Sequence, residues 1–259
     1  LLSGATLIYL ISLGAVIIQT VNSTKEDTFR IVEKTAAEKA NLVKSVIDSD
    51  LKAIDVLADV GSTFKMETFE AWEKIYLDQQ KAILENNPQY ISVATSFELK
   101  YIDSTYNNDY GRLMRGYYRE GDVIKLFDAK RNLDGDDYAS NYYSIKTNKN
   151  HFISNPELFS YTGNEQDAVL NTNISVPILK NNEFVGLAGA DVNMDYFQSI
   201  TDSIQPYIGS YAFILSTDGT IVAHPKKEWV GEKLSDVDSV FIADGNINKR
   251  IDLGKTFTF

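Results

Sequence analysis

Asp191 has the type and the surroundings of a ligand-binding carboxylate. It ends a strand-like run that contains Gly186 and Gly189, and small residues of this kind let a ligand or another backbone approach closely. A carboxylate inside a desolvated pocket needs a cation or hydrogen bonds to remain charged. The alternative is that Asp191 caps the helix that begins near Met194, a role that requires no ligand.

Two aromatic rings and a lysine after Asn141 could belong to the same pocket. Tyr142 and Tyr143 could pack on the carbon skeleton of a ligand or face an ammonium group, an attraction worth about 0.5–2 kcal/mol. Lys146 follows Tyr142 by one helical turn and could face the pocket as well. Ordinary core packing is the alternative interpretation, because the chain contains 15 tyrosines.

Glu157 could make the pocket doubly acidic. If it faces inward beside Asp191, a cationic amine is favoured over a zwitterion. If it lies in a loop, it is a solvated glutamate with no role in binding.

Strand alternation gives further candidates. Asn171 and Asn173 share one strand face because side chains alternate with a period of two. The same rule sends Tyr117 and Tyr118 to opposite faces, so at most one of them lines a pocket, and Tyr117 is our candidate. Tyr161 is a further lining candidate.

Composition excludes several classes of function. The net charge of -11 disfavours nucleic acid as a partner. The chain has no cysteine and two histidines, which excludes disulfides, thiolate metal sites and a histidine-rich zinc centre. Three aspartates in the loop from Asn132 to Asp137 lack the spacing of an EF-hand, so we expect a solvated loop and no metal or other cofactor.

No set of residues indicates catalysis. The sequence has no phosphate-binding glycine loop, no Gly-x-Ser-x-Gly motif and no cysteine nucleophile. His224 has no catalytic partner in reach along the sequence and is interpreted as structural. We therefore expect a protein that is not an enzyme.

Residues 1–21 are uncharged and almost wholly apolar, which predicts a transmembrane helix. A signal peptide is the weaker alternative. Residues 22–64 contain apolar positions at a spacing near 3.6, which predicts one long amphipathic helix. A helix of this length usually packs against a partner helix, here from a second copy of the chain. Two shorter helices with a break are the alternative.

The remaining segments predict an α+β fold with antiparallel sheets. Residues 66–86 form a second helix with Glu73 on its polar face. Strands are expected at 90–97 and 112–127, the latter turning at 119–122. A short helix is expected at 141–149, and a hairpin joins strands 169–179 and 183–192.

These elements divide the chain into five parts. They are the membrane helix at 1–21, the long helix at 22–64, a membrane-distal module at 65–193, a linker helix at 194–204 and the truncated start of a membrane-proximal module at 205–259.

The order of these elements resembles the double Cache sensor domains of bacterial chemoreceptors. Val176–Asp191 is similar to the family's strand–turn–strand that ends in Gly-x-x-Gly-x-Asp, and Met194–Ile200 follows as the family's linker helix. Tyr211–Pro225 with Val230–Leu234 looks like the opening of the family's membrane-proximal module. Asn141–Tyr143 occupies the position of the family's aromatic pair.

The resemblance implies a long N-terminal helix followed by two PAS-like (Cache) modules. In the amino-acid-binding members the aspartate that matches Asp191 holds the ammonium group of the ligand. Those members also carry an arginine two residues before the aromatic pair, where this chain has Ser140. The alternative partners for a carboxylate are Arg112, Arg115, Arg131 and Lys146, and the departure at Ser140 puts binding of α-amino acids in doubt.

The resemblance also implies a function. It predicts an extracytoplasmic sensor in a bacterial cell membrane, anchored by its N-terminal helix and homodimeric, that binds a small polar molecule, with an amine or amino acid favoured. The expected protein is a chemoreceptor that relays ligand binding as a helix shift; a histidine kinase or a diguanylate cyclase is the alternative output. A module that acts as a spacer and binds nothing is the other alternative.

Overall fold

The chain begins with a single long helix. The computed structural model describes residues 2–161 and 163–238, apart from the side chains of residues 2–16 and Glu165. Helix α1 spans Leu2–Gly61 without a break over 60 residues, so the alternative of two shorter helices is wrong. At 1.5 Å per residue it is about 90 Å long.

Most of the expected membrane span at 1–21 lies where side chains fall outside the described residues. Within the described residues, no helix combines the length and the apolar character needed to cross a membrane.

Only the C-terminal part of α1 packs into the protein. Ile54, Leu57 and Ala58 are 0–3% exposed, whereas Phe29 and Val32 farther up the helix remain 49% and 39% exposed. The predicted apolar stripe therefore has two parts, one in the core and one at the surface of this chain.

Helix α2, Phe69–Asn86, follows a short 3-10 turn at Met66–Thr68. Its aromatic residues pack with Phe64 and Phe97, and the rings of Trp72 and Tyr76 stack at 4.6 Å. The hydroxyl of Tyr76 donates a hydrogen bond of 2.7 Å to the carbonyl of Leu57. This contact ties α2 to α1.

One antiparallel sheet of seven strands lies between residues 90 and 193. The strands follow the order β3-β2-β1-β7-β6-β4, and β5 also pairs with β6. Their bounds are β1 Tyr90–Glu98, β2 Arg112–Glu120, β3 Val123–Arg131, β4 Phe152–Ile153, β5 Glu157–Phe159, β6 Val169–Lys180 and β7 Glu183–Asn193.

The sequence predicted both hairpins of this sheet. The β6–β7 turn places Asn181 and Asn182 at φ angles of 52° and 65°, a left-handed conformation that asparagine tolerates and that suits a two-residue hairpin. Helices α1 and α2 cover one face of the sheet. The opposite face carries the polar residues described below.

Shorter elements complete the described chain. They are α3 Leu99–Ile102, α4 Asn141–Asn148, α5 Asp195–Asp202, β8 Ile214–Leu215, β9 Ile221–Ala223 and α6 Leu234–Val237. Helices α4 and α5 correspond to the predicted short helix and linker helix. Strands β8 and β9 pair as an antiparallel hairpin, and residues 239–259 of the expected proximal module lie outside the described residues.

The packing of α1 predicts that truncating two neighbouring side chains has very different effects on the free energy of unfolding. Leu57→Ala should lower the free energy of unfolding by about 2–5 kcal/mol, because the side chain is 2% exposed and a cavity would remain. Val56→Ala, at a side chain that is 63% exposed, should change it by less than about 0.5 kcal/mol. Urea denaturation of both variants measures the difference, and equal effects would contradict the packing.

Candidate ligand-binding site

Three hydroxyl or amide groups surround the carboxylate of Asp191. The hydroxyl of Ser92 donates to it at 2.9 Å, and the amide of Asn173 donates at 2.8 Å. The hydroxyl of Tyr161 also donates to it and lies 2.7 Å from the hydroxyl oxygen of Ser92. All three donors are neutral.

The sheet register brings these groups together. Asp191 on β7 lies opposite Ser92 on β1 and opposite Asn173 on β6. Directly opposed residues of antiparallel strands share a face, so all three project to the side away from α1 and α2.

The electrostatic environment of Asp191 suits a positively charged group. Burial raises the pKa of Asp191 to about 6; the hydrogen bond from Ser92 opposes this rise, and the negative charge of Glu157 adds to it. Among the groups of the described chain that shift this pKa, none is a lysine, arginine or histidine. A bound ammonium ion would supply the compensating charge.

Aromatic rings border the carboxylate. Tyr161 stacks on Tyr118 with ring centroids 5.1 Å apart and an interplanar angle of 15°. Phe159 meets Tyr161 edge-on at 4.9 Å. Asp191 therefore lies at the hydroxyl end of a cluster of aromatic rings, and aromatic rings near a carboxylate can contribute to binding an organic cation.

The prediction for Tyr117 requires a correction. Tyr117 lies opposite Val93 and packs with it against the helix-covered core. Tyr118 is the residue that faces the candidate site. Alternation correctly separated the two tyrosines, but it could not say which face each one takes.

Glu157 and Asn171 extend the same face of the sheet. They are cross-strand partners on β5 and β6, so Glu157 lies in a strand and not in a loop. Its side chain is exposed, but its charge acts on Asp191. Asn171 is 3% exposed and donates to the carbonyl of Val169 at 3.2 Å.

Tyr142 and Lys146 belong to a second polar group, which we call the distal cluster: Glu98, Arg112, Asp136, Tyr142 and Lys146. The hydroxyl of Tyr142 donates to Glu98 at 2.8 Å. The ammonium of Lys146 donates to Glu98 at 3.0 Å and to Asp136 at 2.9 Å. The guanidinium of Arg112 lies 3.9 Å from the centre of the Tyr142 ring.

The structure does not bring the distal cluster beside Asp191. Glu98 follows Ser92 by six residues along β1, a separation of about 20 Å. The expected single pocket of Tyr142, Tyr143 and Asp191 is therefore divided between two ends of the sheet. Tyr143 is half-buried and meets Tyr138 edge-on at 4.8 Å.

Ser140 has a structural role where the amino-acid-binding pattern has an arginine. Its hydroxyl accepts a hydrogen bond of 3.2 Å from the backbone N–H of Tyr143 and caps α4. Serine is favoured at this position because it satisfies a free N–H of the first helical turn.

Arg115 does not face the candidate site. It lies opposite Thr95 on the helix-covered face of the sheet, where it pairs with Glu73 of α2 and, at 2.8 Å, with Asp128. Glu73 is consequently 6% exposed, and the prediction that it lies on the polar face of α2 is wrong.

Sequence reasoning missed Ser92 and Tyr118. Both could have been found from the predicted pairing of 90–97 with its neighbours, because residues opposite Asp191 share its face. The sequence did not reveal the register in which β1 pairs with β2 and β7.

Comparisons with known proteins agree on one family. The family model described as Cache domain matches residues 20–258. A methyl-accepting chemotaxis protein, PscA from Pseudomonas syringae pv. tomato, is 27% identical over 164 residues, which cover 62% of this chain. The chain spans only 23% of the length of that relative.

Solved structures share the fold. The extracellular domain of mmHK1S-Z2, assigned to the histidine kinases, has a TM-score of 0.63 and 25% identity, covering 81% of this chain and 79% of its own. The ligand-binding domain of the amino acid chemoreceptor PctC from Pseudomonas aeruginosa, solved with GABA, has a TM-score of 0.54 and 18% identity, covering 78% of this chain and 76% of its own.

The raised pKa of Asp191 predicts a pH dependence of stability. A carboxyl whose pKa is higher in the folded than in the unfolded state binds more protons when folded, so stability falls as the pH rises between the two values. Between about pH 4 and pH 6 the wild type should lose about 1–3 kcal/mol of unfolding free energy relative to Asp191→Asn.

Urea denaturation across this pH range, with the exposed hairpin variant Asp122→Asn as a control, measures the effect. A pH profile of Asp191→Asn that runs parallel to the wild type would contradict the assignment.

Proposed function

The chain belongs to the Cache domain family, and from this premise we propose that it is the ligand-binding part of a bacterial membrane sensor, with an organic amine as its ligand. The observation that carries this proposal is the carboxylate of Asp191, which has three neutral donors and no cationic partner among the described residues. The ammonium group would bind Asp191, and its carbon skeleton would lie against Tyr161 and Tyr118.

An amine fits the charges better than an α-amino acid does. The carboxylate of an amino acid bound at Asp191 would lie in the field of Glu157. The cations of the surrounding strands and helices are engaged elsewhere. Arg115 is on the opposite face, and Lys146 is paired with Glu98 and Asp136 in the distal cluster. Lys125, which lies opposite Tyr118, is paired with Glu120 at 2.6 Å. The GABA complex of PctC supports the narrower point that this fold can hold a ligand with an ammonium group.

The output of the sensor is part of the proposal. Similarity to PscA favours chemotaxis, and the similarity to mmHK1S-Z2 favours the alternative of a histidine kinase. In both cases the domain would lie outside the cytoplasm, with residues 65–193 and 205–259 as its distal and proximal modules.

We further propose that the exposed apolar residues of α1 pack against a second copy of the chain. Val21, Phe29 and Val32 are 56%, 49% and 39% exposed. Such residues along one helix are typical of a helix–helix interface.

The proposal predicts selective stabilisation by amines. In a thermal-shift screen of monoamines, diamines, amino acids, organic acids and sugars, an amine at 100 times its dissociation constant should add about 2.7 kcal/mol to the free energy of unfolding. Asp191→Asn should abolish that stabilisation, because it removes the charge that holds the ammonium group.

Tyr142→Phe is the matched control, since it alters the distal cluster about 20 Å away and should leave amine binding unchanged. Loss of binding in Tyr142→Phe but not in Asp191→Asn would place the ligand in the distal cluster. If no compound of the panel stabilises the protein, a spacer or a sensor of a partner protein becomes the better hypothesis.

Glu157 should contribute to selectivity and little to affinity. Because its side chain is exposed, Glu157→Gln should weaken binding of a monoamine by only about two- to fivefold. It should improve binding of the corresponding zwitterionic amino acid, since the repulsion of a second carboxylate disappears. Isothermal titration with one amine and its α-carboxylated analogue tests this, and an unchanged ratio of the two affinities would show that Glu157 has no role in selection.

A further inference from the structure

A carboxylate of the long helix is buried against the sheet. Asp50 is 4% exposed. One of its oxygens accepts hydrogen bonds from the hydroxyl of Tyr90 at 2.9 Å and from the side-chain amide of Gln89 at 3.1 Å. Burial raises the pKa of Asp50, and these two hydrogen bonds oppose that rise. Asp50 is thus held by the start of β1.

A β-bulge lets the start of β1 reach both faces of the sheet. Tyr90 pairs with Val192 and Ser92 pairs with Asp191, so one extra residue lies between Tyr90 and Ser92 on β1. In a regular strand Tyr90 and Ser92 would share a face. The bulge instead turns Tyr90 toward Asp50 of α1 while Ser92 donates to Asp191 on the other side.

A second connection runs through β7. The carbonyl of Gln89 accepts a hydrogen bond of 2.8 Å from the backbone N–H of Asn193, two residues after Asp191. The side chain of Asn193 accepts at 2.8 Å from the N–H of Asp195, where α5 begins. Gln89 therefore touches α1, the strand that carries Asp191 and, through Asn193, the linker helix.

We propose that Asp50 is a positioning residue that couples the candidate site at Asp191 to α1 through its hydrogen bonds to Tyr90 and Gln89. A change at Asp191 that shifts Ser92 or β7 also shifts the donors that hold Asp50, and α1 responds at that point. A ligand can bias such a two-state element only by its difference in affinity for the two states. The inference deepens the proposed function, since it takes Asp191 as the site whose state is transmitted.

The test requires no ligand. Asp191→Asn removes the charge that a bound cation would neutralise. Hydrogen–deuterium exchange in the peptide covering residues 44–57 of α1 is measured for the wild type, Asp191→Asn, Asp50→Leu and the double variant. We expect Asp191→Asn to change the exchange rate in this peptide by about three- to tenfold and to have no such effect in the Asp50→Leu background.

Two further variants separate coupling from general loss of structure. Asp48→Leu makes the same chemical change on the same helix at a side chain that is 48% exposed, and in that background the effect of Asp191→Asn should persist. Asp50→Asn keeps an oxygen that accepts from both donors and should restore most of the effect. Should Asp50→Leu fail to fold, Tyr90→Phe takes its place, because it removes one hydrogen bond and keeps the ring.

An equal response to Asp191→Asn in the wild-type and Asp50→Leu backgrounds would overturn the proposal, as would the absence of any response in the wild type. Neither result depends on amine binding. A failed ligand screen and a failed coupling test are therefore distinguishable.

Discussion

Burial of the three central strands on both faces is the constraint on which the remaining structure depends. Helices α1 and α2 cover one face of β1, β7 and β6, so polar side chains on that face need partners inside the protein. Gln80, which is fully buried, donates to Thr95 at 3.1 Å, and Glu73 is matched by Arg115. Asp191, on the opposite face, also needs hydrogen-bond partners inside the protein, and hydroxyl and amide groups donate to it.

The two polar groups on that opposite face satisfy the requirement in different ways. In the distal cluster the positive charges of Lys146 and Arg112 balance the negative charges of Glu98 and Asp136, so the group is electrostatically complete. Asp191 has only neutral donors and a second carboxylate near it. The charges of the distal cluster are thus compensated within the protein, whereas that of Asp191 has only neutral hydrogen-bond donors among the described residues.

Local patterns in the sequence predicted the helices and strands well, but they predicted poorly which distant residues contact one another. The unbroken long helix, the β6–β7 hairpin and the short helix at Asn141 follow from periodicity and turn residues, which act over a few positions. Burial of Glu73 depends on Arg115, 42 residues later. The separation of Tyr142 from Asp191 depends on sheet register, and the bulge before Ser92 breaks the alternation from which faces are assigned. None of these has a local signal.

The length of α1 and the position of its buried end give it the geometry of a lever. Among its residues with described side chains, Asp50 is the first that is buried, and Leu2 lies 48 residues before it, about 70 Å along the axis. A tilt of one degree about the buried end would displace the far end by about 1 Å. The same rotation would move atoms within about 5 Å of the pivot by only about 0.1 Å, so a shift far smaller than the length of a hydrogen bond at Asp50 would become a displacement of about 1 Å at the other end.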